Sequence, residues 1–182
     1  MPSEVRLLEF QTCAFLSVHP DYDPSDPRAN ELVSSLCSSI ESVFQHLYRA
    51  GVRNYLNICV TPLDILAAEI IGTLTKRMHF RKSRLILVLA EDATQAKLSN
   101  QFQRRFRRLL HKSAQVITLP SQEQCQQYLL ANAHYMVAVY GDTWPQSSAL
   151  SEPIQAAHMQ KLPLYRIHPD TAEIETPDYA RI

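Results

Sequence analysis

Glycine is scarce in this sequence, with only Gly51, Gly72 and Gly141 among 182 residues. Phosphate-binding loops use glycine because it adopts positive φ and lets backbone N–H groups come close to the ligand. Gly51 is already needed to stop a helix, so no glycine-rich phosphate loop can be built. A Walker loop and a Gly-x-Ser-x-Gly elbow are also missing. The common nucleotide-binding loops and the usual hydrolase nucleophile are therefore excluded.

Other absences exclude further classes of protein and of binding site. Lys and Arg total 18, as do Asp and Glu, so no net charge attracts the chain to nucleic acid or membrane. No signal-peptide pattern and no membrane-length apolar run occur, which predicts a cytoplasmic protein. The histidines are dispersed and no Cys-x-x-Cys pair exists, so we expect reduced structural thiols, no metal and no cofactor. The scattered cysteines are Cys13, Cys37, Cys59 and Cys125.

The most informative stretch is 54–71, in which a short apolar run passes directly into apolar residues at helical spacing. Thr61 has the position of an N-cap, Pro62 that of the first helical residue, and Asp64 that of a carboxylate reaching back to the cap. A strand that runs straight into a helix N-terminus is where α/β proteins bind phosphates. This joint, however, contains no glycine.

Strand and helix patterns alternate along the whole chain, which predicts a doubly wound, Rossmann-like parallel sheet in a single α/β domain, 1–182. We expect a core over 10–169 and a polar, loosely held tail over 170–182. A strand is expected to end just before Thr61, and others are predicted over 10–18, 84–90, 114–119, 135–140 and 162–167. The predicted helices run from Pro27, with Asp26 as its N-cap, to a stop at Gly51, from Pro62 to about 79, over about 98–112, from a Ser121–Gln124 capping box to 132, and to about 160. The first of these helices is expected to bury an apolar stripe of Leu32, Val33, Leu36, Ile40, Val43, Phe44 and Leu47.

Several segments resemble one family when they are taken in order. Cys13-Ala14-Phe15, Tyr22-Asp23 and Asp26-Pro27 resemble the opening of the YpsA-like branch of the SLOG superfamily, which groups DprA-like and Lonely-Guy-like proteins on a Rossmann-type fold. Segments 63–65 and 67–70 resemble its second signature. Tyr128 and segments 136–140 and 162–169 resemble its C-terminal half. The similarity covers 13–169, and it implies a nucleotide-type ligand at the carboxyl ends of the strands.

The chain departs from the family pattern at its ligand loops. The family's second loop reads Ser-Gly-x-Ala-x-Gly-x-Asp, whereas residues 57–64 carry Ile58 and Pro62 at the two glycine positions. We expect Ile58 to stand over the phosphate cradle and Pro62 to remove an amide donor. The first loop, 16–20, lacks the family's Thr-Gly-His-Arg-Pro, and Gly141 stands alone where the family has Gly-Gly-Thr. The positions that the resemblance implies for a ligand are Ser17, His19, Tyr22, Thr61, Asp64, Glu69, Gly141, Thr143 and Trp144.

Asp64 and Glu69 are the acidic pair that survives at this site, about 140° apart around a helix. By resemblance they would contact a ribose or activate water in N-glycosidic hydrolysis. The alternative, which we favour, is that Asp64 caps the helix and Glu69 forms an inter-helix salt bridge or a dimer contact. The sequence therefore predicts no confident catalytic residue.

A basic cluster is the strongest local charge asymmetry, formed by Arg104, Arg105, Arg107 and Arg108 with His111 and Lys112. It could bind nucleic acid or an acidic partner. Zero net charge and the lack of interleaved aromatic residues favour a solvated helix face instead, so nucleic acid is not the expected partner.

The expected function is that of a non-catalytic, degenerate SLOG-type domain that acts by protein–protein contact or regulation, as a homodimer. The alternative is a sensor of an ADP-ribose-like or AMP-like nucleotide derivative, or an N-glycoside hydrolase, with a remodelled pocket.

Overall fold

Strands and helices alternate as predicted in the computed structural model, which describes residues 11–17, 27–77, 80–91, 99–142 and 151–177. The strands are β1 Gln11–Ser17, β2 Val52–Asn57, β3 Arg84–Ala90, β4 Gln115–Leu119, β5 Tyr135–Val139, β6 Leu164–Ile167 and β7 Ile174–Glu175. The helices are α1 Pro27–Arg49, α2 Pro62–Leu74, α3 Asn100–Lys112, α4 Gln122–Asn132 and α5 Ser151–Met159. No helix in these ranges is long and apolar enough to cross a membrane.

The seven strands form one sheet in the order β4-β3-β2-β1-β5-β6-β7. Neighbouring strands are parallel except for the β6–β7 pair, which is antiparallel. The strand order reverses between β1 and β5, where Ser17 is paired with Val139 at the carboxyl ends. In open α/β sheets this reversal creates the crevice in which ligands bind. Ser17 therefore lies at the position expected for a ligand site.

Two apolar cores lie on opposite faces of the sheet, which confirms the doubly wound α/β fold. One core joins α1, α2 and α3 to alternate residues of the strands, including Phe15, Tyr55 and Leu87. The other joins α4 and α5 to the intervening residues, such as Leu16 and Leu56. The side chains alternate between the two cores because successive residues of a strand point to opposite faces.

Helix α1 packs as its sequence predicts, with Leu36, Ile40, Val43, Phe44 and Leu47 buried. Gly51 follows it with φ of +100°, a conformation that side-chain-bearing residues rarely adopt. The residue predicted to cap α1, Asp26, lies outside the described residues.

Helix α2 is shorter than predicted and ends at Leu74 instead of near residue 79. Thr75 forms the C-cap, with its N–H donating to the Ile71 carbonyl and its hydroxyl to the Gly72 carbonyl at 3.1 Å. Turns then lead into β3. After Thr75 the backbone bonds shift to the residue three positions earlier, from Lys76 to Thr73 at 3.3 Å and from Arg77 to Leu74 at 2.9 Å, so the α-helix ends although no Gly or Pro marks the place in the sequence.

Residues 170–177 are more ordered than the loosely held tail that we predicted, and the rest of that tail lies outside the described residues. Glu175 pairs with Arg166 as part of the antiparallel β7. Ala172 is buried, and its carbonyl accepts a hydrogen bond of 2.6 Å from the Ser39 hydroxyl on α1. A two-residue strand is too short to show a recognisable period, so only the pairing with β6 reveals it.

Candidate functional site at the start of helix α2

Asp64 lies at the centre of a closed polar cluster between β1 and the first turn of α2. Its side chain is fully buried. Its Oδ1 atom accepts hydrogen bonds from the Ser17 N–H at 3.0 Å and the Ser17 hydroxyl at 2.8 Å. Its Oδ2 atom accepts from the Val60 N–H at 3.1 Å and the Thr61 N–H at 3.0 Å. Four donors therefore surround a single carboxylate and tie the end of β1 to the start of α2.

Thr61 caps α2 as predicted. Its hydroxyl accepts a hydrogen bond from the Asp64 N–H at 3.1 Å while the Asp64 carboxylate accepts from the Thr61 N–H, which completes a capping box with Pro62 in the first turn. The Thr61 hydroxyl also bonds to the Ser17 hydroxyl. The prediction of this helix start from Thr61-Pro62-Leu63-Asp64 is confirmed in detail.

Asn57 supports the same turn from the end of β2. Its side-chain amide donates to the Asp64 carbonyl at 2.9 Å, and its side-chain oxygen accepts from the Cys59 N–H at 2.7 Å. The second bond has the pattern of an Asx turn, and it accompanies a left-handed Cys59 with φ of +51°. Asn57 was not among the residues predicted to form the site. The sequence pattern that identifies it is an Asn at the end of an apolar strand, two residues before a turn.

The pKa of the buried Asp64 carboxyl group is raised. Burial raises the pKa of Asp64 to about 6, while the hydrogen bonds from Thr61, Ser17 and Val60 counteract part of that rise. At neutral pH the carboxyl group is therefore mostly ionised, and the chain holds a negative charge beneath the N-terminus of α2. This is where the helix dipole stabilises an anion.

The cluster uses three backbone N–H groups that could otherwise bind a phosphate. The N–H groups of Val60 and Thr61 are bonded to Asp64, that of Asp64 is bonded to Thr61, and Pro62 has none. A helix N-terminus binds an anion by directing free N–H groups at it. In this protein Asp64 supplies that anion itself.

The prediction that Ile58 stands over the cradle is wrong. Its side chain is 1% exposed and belongs to the core on the α4 and α5 face, with Leu56 and Ala14. The residue lies just after β2, where the chain still alternates between the two faces. The cradle is filled by a carboxylate and not covered by an isoleucine.

Glu69 lies on a different side of α2 from Asp64. It pairs with Arg105 of α3 in a two-pronged contact, in which the Arg105 Nε atom lies 3.0 Å from both Glu69 oxygens. A second guanidinium nitrogen contacts Glu69 Oε2. The pair borders a groove of about 250 Å³ between α1, α2 and α3, beside Cys37. Burial raises the pKa of the Cys37 thiol, which keeps it protonated and unreactive.

A second charged cluster lies where β5 and β6 end. The Arg166 guanidinium pairs with Asp142 and with Glu175, at 3.1 Å from the Glu175 carboxylate, and its Nε donates to the Tyr140 carbonyl at 3.1 Å. The Arg166 side chain holds the pKa of Asp142 below its usual range. Gly141 precedes Asp142 without a positive φ, and an added Cβ would lie 3.6 Å from Pro169, an ordinary contact. Gly141 is therefore not required there by backbone geometry.

The structure brings together only part of the predicted ligand set. Ser17, Thr61 and Asp64 form one cluster, whereas Glu69 lies on the α3 side and Gly141 follows β5. His19, Tyr22, Thr143 and Trp144 fall outside the described residues. On α3, Arg104, Arg107 and Arg108 are exposed, while Arg105 is held by Glu69. In the part of the chain that the structure describes, no group of three or more His, Cys, Asp or Glu side chains could hold a metal ion.

Comparisons with known proteins add no family. No protein-family model matches the chain, and a search of curated proteins finds no match.

Proposed function

We propose that this protein is a non-catalytic, degenerate SLOG-type domain whose nucleotide site is closed by its own Asp64, and that it acts by protein–protein contact as a homodimer. One observation carries the proposal. The Asp64 carboxylate is fully buried and accepts hydrogen bonds from Ser17, Val60 and Thr61 at the place where such folds bind an anion.

A nucleotide meets two obstacles at this site. A phosphate placed about 4 Å from the ionised Asp64 would meet a repulsion of about 4 kcal/mol at an effective dielectric constant of about 20. Because the pKa of Asp64 is about 6, protonation of the carboxylate at pH 7 relieves that repulsion for about 1.4 kcal/mol, so the charge alone weakens the Kd about tenfold. The phosphate would also find the N–H groups of Val60 and Thr61 already occupied.

The positions of the two carboxylates also favour a non-catalytic role. Glycoside hydrolysis requires two carboxyl groups that flank one scissile bond. Asp64 instead bonds to β1, and Glu69 bonds to Arg105 of α3. Neither carboxylate is free to act on a shared substrate.

A groove beside α5 and β7 supports the protein-contact role. It encloses about 550 Å³ and is lined by residues that include Tyr140, His158 and Ile174. Met159, next to His158 in the chain, is 85% exposed, and Ile174 is 37% exposed. Large contiguous apolar patches mark contact surfaces, whereas single exposed apolar residues are ordinary, so the nearly complete exposure of Met159 is the feature that selects this edge. We assign this edge of the sheet to the contact with a second copy of the chain.

Calorimetric titration with ADP-ribose, AMP and NAD tests the closed site. We expect no binding tighter than millimolar, because the anion position is already filled. A micromolar Kd for any of the three would reject the closed site and support the nucleotide-derivative sensor. Release of a free base on incubation would support the hydrolase.

Sedimentation of the wild type and of Met159→Glu tests the dimer. We expect a wild-type dimer and a predominantly monomeric variant. The matched control is Val116→Glu on β4 at the opposite edge of the sheet, where the wild-type side chain is 40% exposed. This control should remain dimeric. A wild-type monomer at every concentration, or equal dissociation of both variants, would contradict the proposed contact.

A further inference from the structure

Opposite charges are segregated along this chain even though its net charge is zero. Residues 49–112 contain thirteen of the 18 Lys and Arg residues but only four of the 18 Asp and Glu residues. The rest of the chain has the reverse excess. A neutral total therefore conceals a strongly basic region and a strongly acidic one.

The fold places six exposed residues of this basic region at one end of the sheet. In a parallel sheet the strands all begin at the same end, and the helices that precede them finish there. The described turn between α2 and β3 and the last turns of α3 both lie at this end, since the Ala114 N–H just after α3 donates to the Leu85 carbonyl near the start of β3 at 2.8 Å. We call this the basic end; its defining exposed residues are Lys76, Lys82, Arg84, Arg107, Arg108 and Lys112.

Among the described residues, few carboxylates neutralise the basic end. Glu41 pairs with Arg77, and Glu69 pairs with Arg105. Within the described ranges, no salt bridge involves any of the six defining residues. Glu91, Asp142 and Glu173 instead follow β3, β5 and β6, at the other end of the strands.

Helix stabilisation explains only part of this charge. Basic residues in the last turn of a helix interact favourably with its dipole, which accounts for one or two of them, such as Lys112. Lys82 and Arg84 belong to no helix: one lies in a turn and the other begins β3. The helix dipole therefore does not account for the positive charge of these two residues.

The acidic end is too distant to cancel the basic field. A seven-residue strand such as β3 spans about 23 Å, nearly three times the Debye length of about 8 Å at physiological salt. A ligand at the basic end is therefore attracted by local positive charge, whatever the net charge of the molecule.

We propose that the basic end binds the phosphate backbone of double-stranded nucleic acid without sequence preference. Exposed Arg and Lys side chains that form no salt bridge with the described carboxylates are the groups that neutralise phosphates. Aromatic side chains on the elements around this surface are packed into the fold: Phe106 of α3 packs against the core, and Tyr48 packs against Phe80 and carries Arg53 on its ring. Binding of single strands relies on aromatic stacking, so a duplex fits this surface better. Binding at the basic end does not involve the Asp64 site, which lies at the opposite end of α2.

Fluorescence anisotropy with short DNA and RNA duplexes tests the proposal, over a range of about 50 to 200 mM salt. We expect wild-type binding that weakens steeply with salt. The test variant combines Arg84→Gln, Arg108→Gln and Lys112→Gln. It should bind at least tenfold more weakly at low salt, and its slope of log K against log salt should fall by about 0.9 for each phosphate that the variant no longer neutralises.

The control variant combines Gln124→Glu, Gln127→Glu and Gln155→Glu. These residues are exposed on α4 and α5, and the changes lower the net charge by the same three units. The control should bind nearly as the wild type does, and thermal melts should show both variants folded. No wild-type binding at low salt would overturn the proposal, as would equal weakening in the control. Preference for single strands, or binding to phosphatidylserine vesicles but not to duplexes, would also overturn it.

Discussion

Asp64 and Glu69 lie on one helix, five residues apart, yet they differ in burial and in the groups that they contact. Asp64 is fully buried, and its carboxylate accepts hydrogen bonds from three backbone N–H groups and one hydroxyl. Glu69 keeps 28% of its side chain exposed and pairs with a single side chain, Arg105. Both residues looked like candidates for one catalytic pair. The difference shows that burial, and not residue type, decides which carboxylate the fold depends on.

The largest expected difference between the two residues is the loss of stability when each carboxylate is removed. Asp64→Ala leaves the buried N–H groups of Ser17, Val60 and Thr61 without an acceptor, at about 1–3 kcal/mol each, partly offset by relief of the buried charge. We expect a loss of about 4 kcal/mol in the free energy of unfolding, measured with urea. Glu69→Ala is the matched control and should lose about 1 kcal/mol or less.

A small anion offers a second measurement on the same variant. Formate should raise the unfolding midpoint of Asp64→Ala more than that of the wild type or of Glu69→Ala, because only the first variant has a vacant anion position beneath α2. An equal loss of stability for both alanine variants would show that the two carboxylates are equivalent and would contradict the comparison.

A smaller effect is expected from pH. The folded pKa of Asp64, about 6, lies above an unfolded value near 3.9, so the folded state binds more protons between these values. The Asp64 contribution to stability is therefore greatest at low pH and is lost as the pH rises through about 6. At most it amounts to about 3 kcal/mol, for a shift of about two pKa units.

Urea unfolding of the wild type and of Asp64→Asn from pH 4 to pH 7 measures this contribution. The variant should be less stable throughout, yet it should lack the part of the pH dependence that Asp64 causes. Parallel curves for the two proteins would show that Asp64 has the same pKa in the folded and unfolded states.

The sequence predicted more of the fold than of the site. The apolar run of β3, the stripe of α1 and the Thr61 cap are local patterns, and the structure reproduces each of them. The bonds from Ser17 to Asp64 join residues 47 positions apart, so no local pattern contains them. Local patterns likewise do not show which helices cover Ile58, or that β7 pairs with β6. Contacts between distant segments depend on strand order, which periodicity does not specify.

The smallest expected effect concerns the ion pair itself. Glu69→Gln keeps the shape of the side chain and one acceptor oxygen but removes the charge opposite Arg105. A partly exposed pair contributes up to about 1 kcal/mol, and screening by salt should reduce that contribution. A double-mutant cycle with Arg105→Gln should therefore give a coupling energy of about 0.5–1 kcal/mol that shrinks at high salt.

The Glu41–Arg77 pair is the internal reference for that cycle, since its side chains are 36% and 54% exposed and meet in a single contact of 3.0 Å. Its coupling energy should be smaller than that of Glu69–Arg105, because greater exposure lets water screen the charges. If Glu69 instead showed a coupling of several kcal/mol that salt did not change, it would behave as a buried structural carboxylate. Side-chain exposure would then not explain why Asp64 and Glu69 contribute differently to stability.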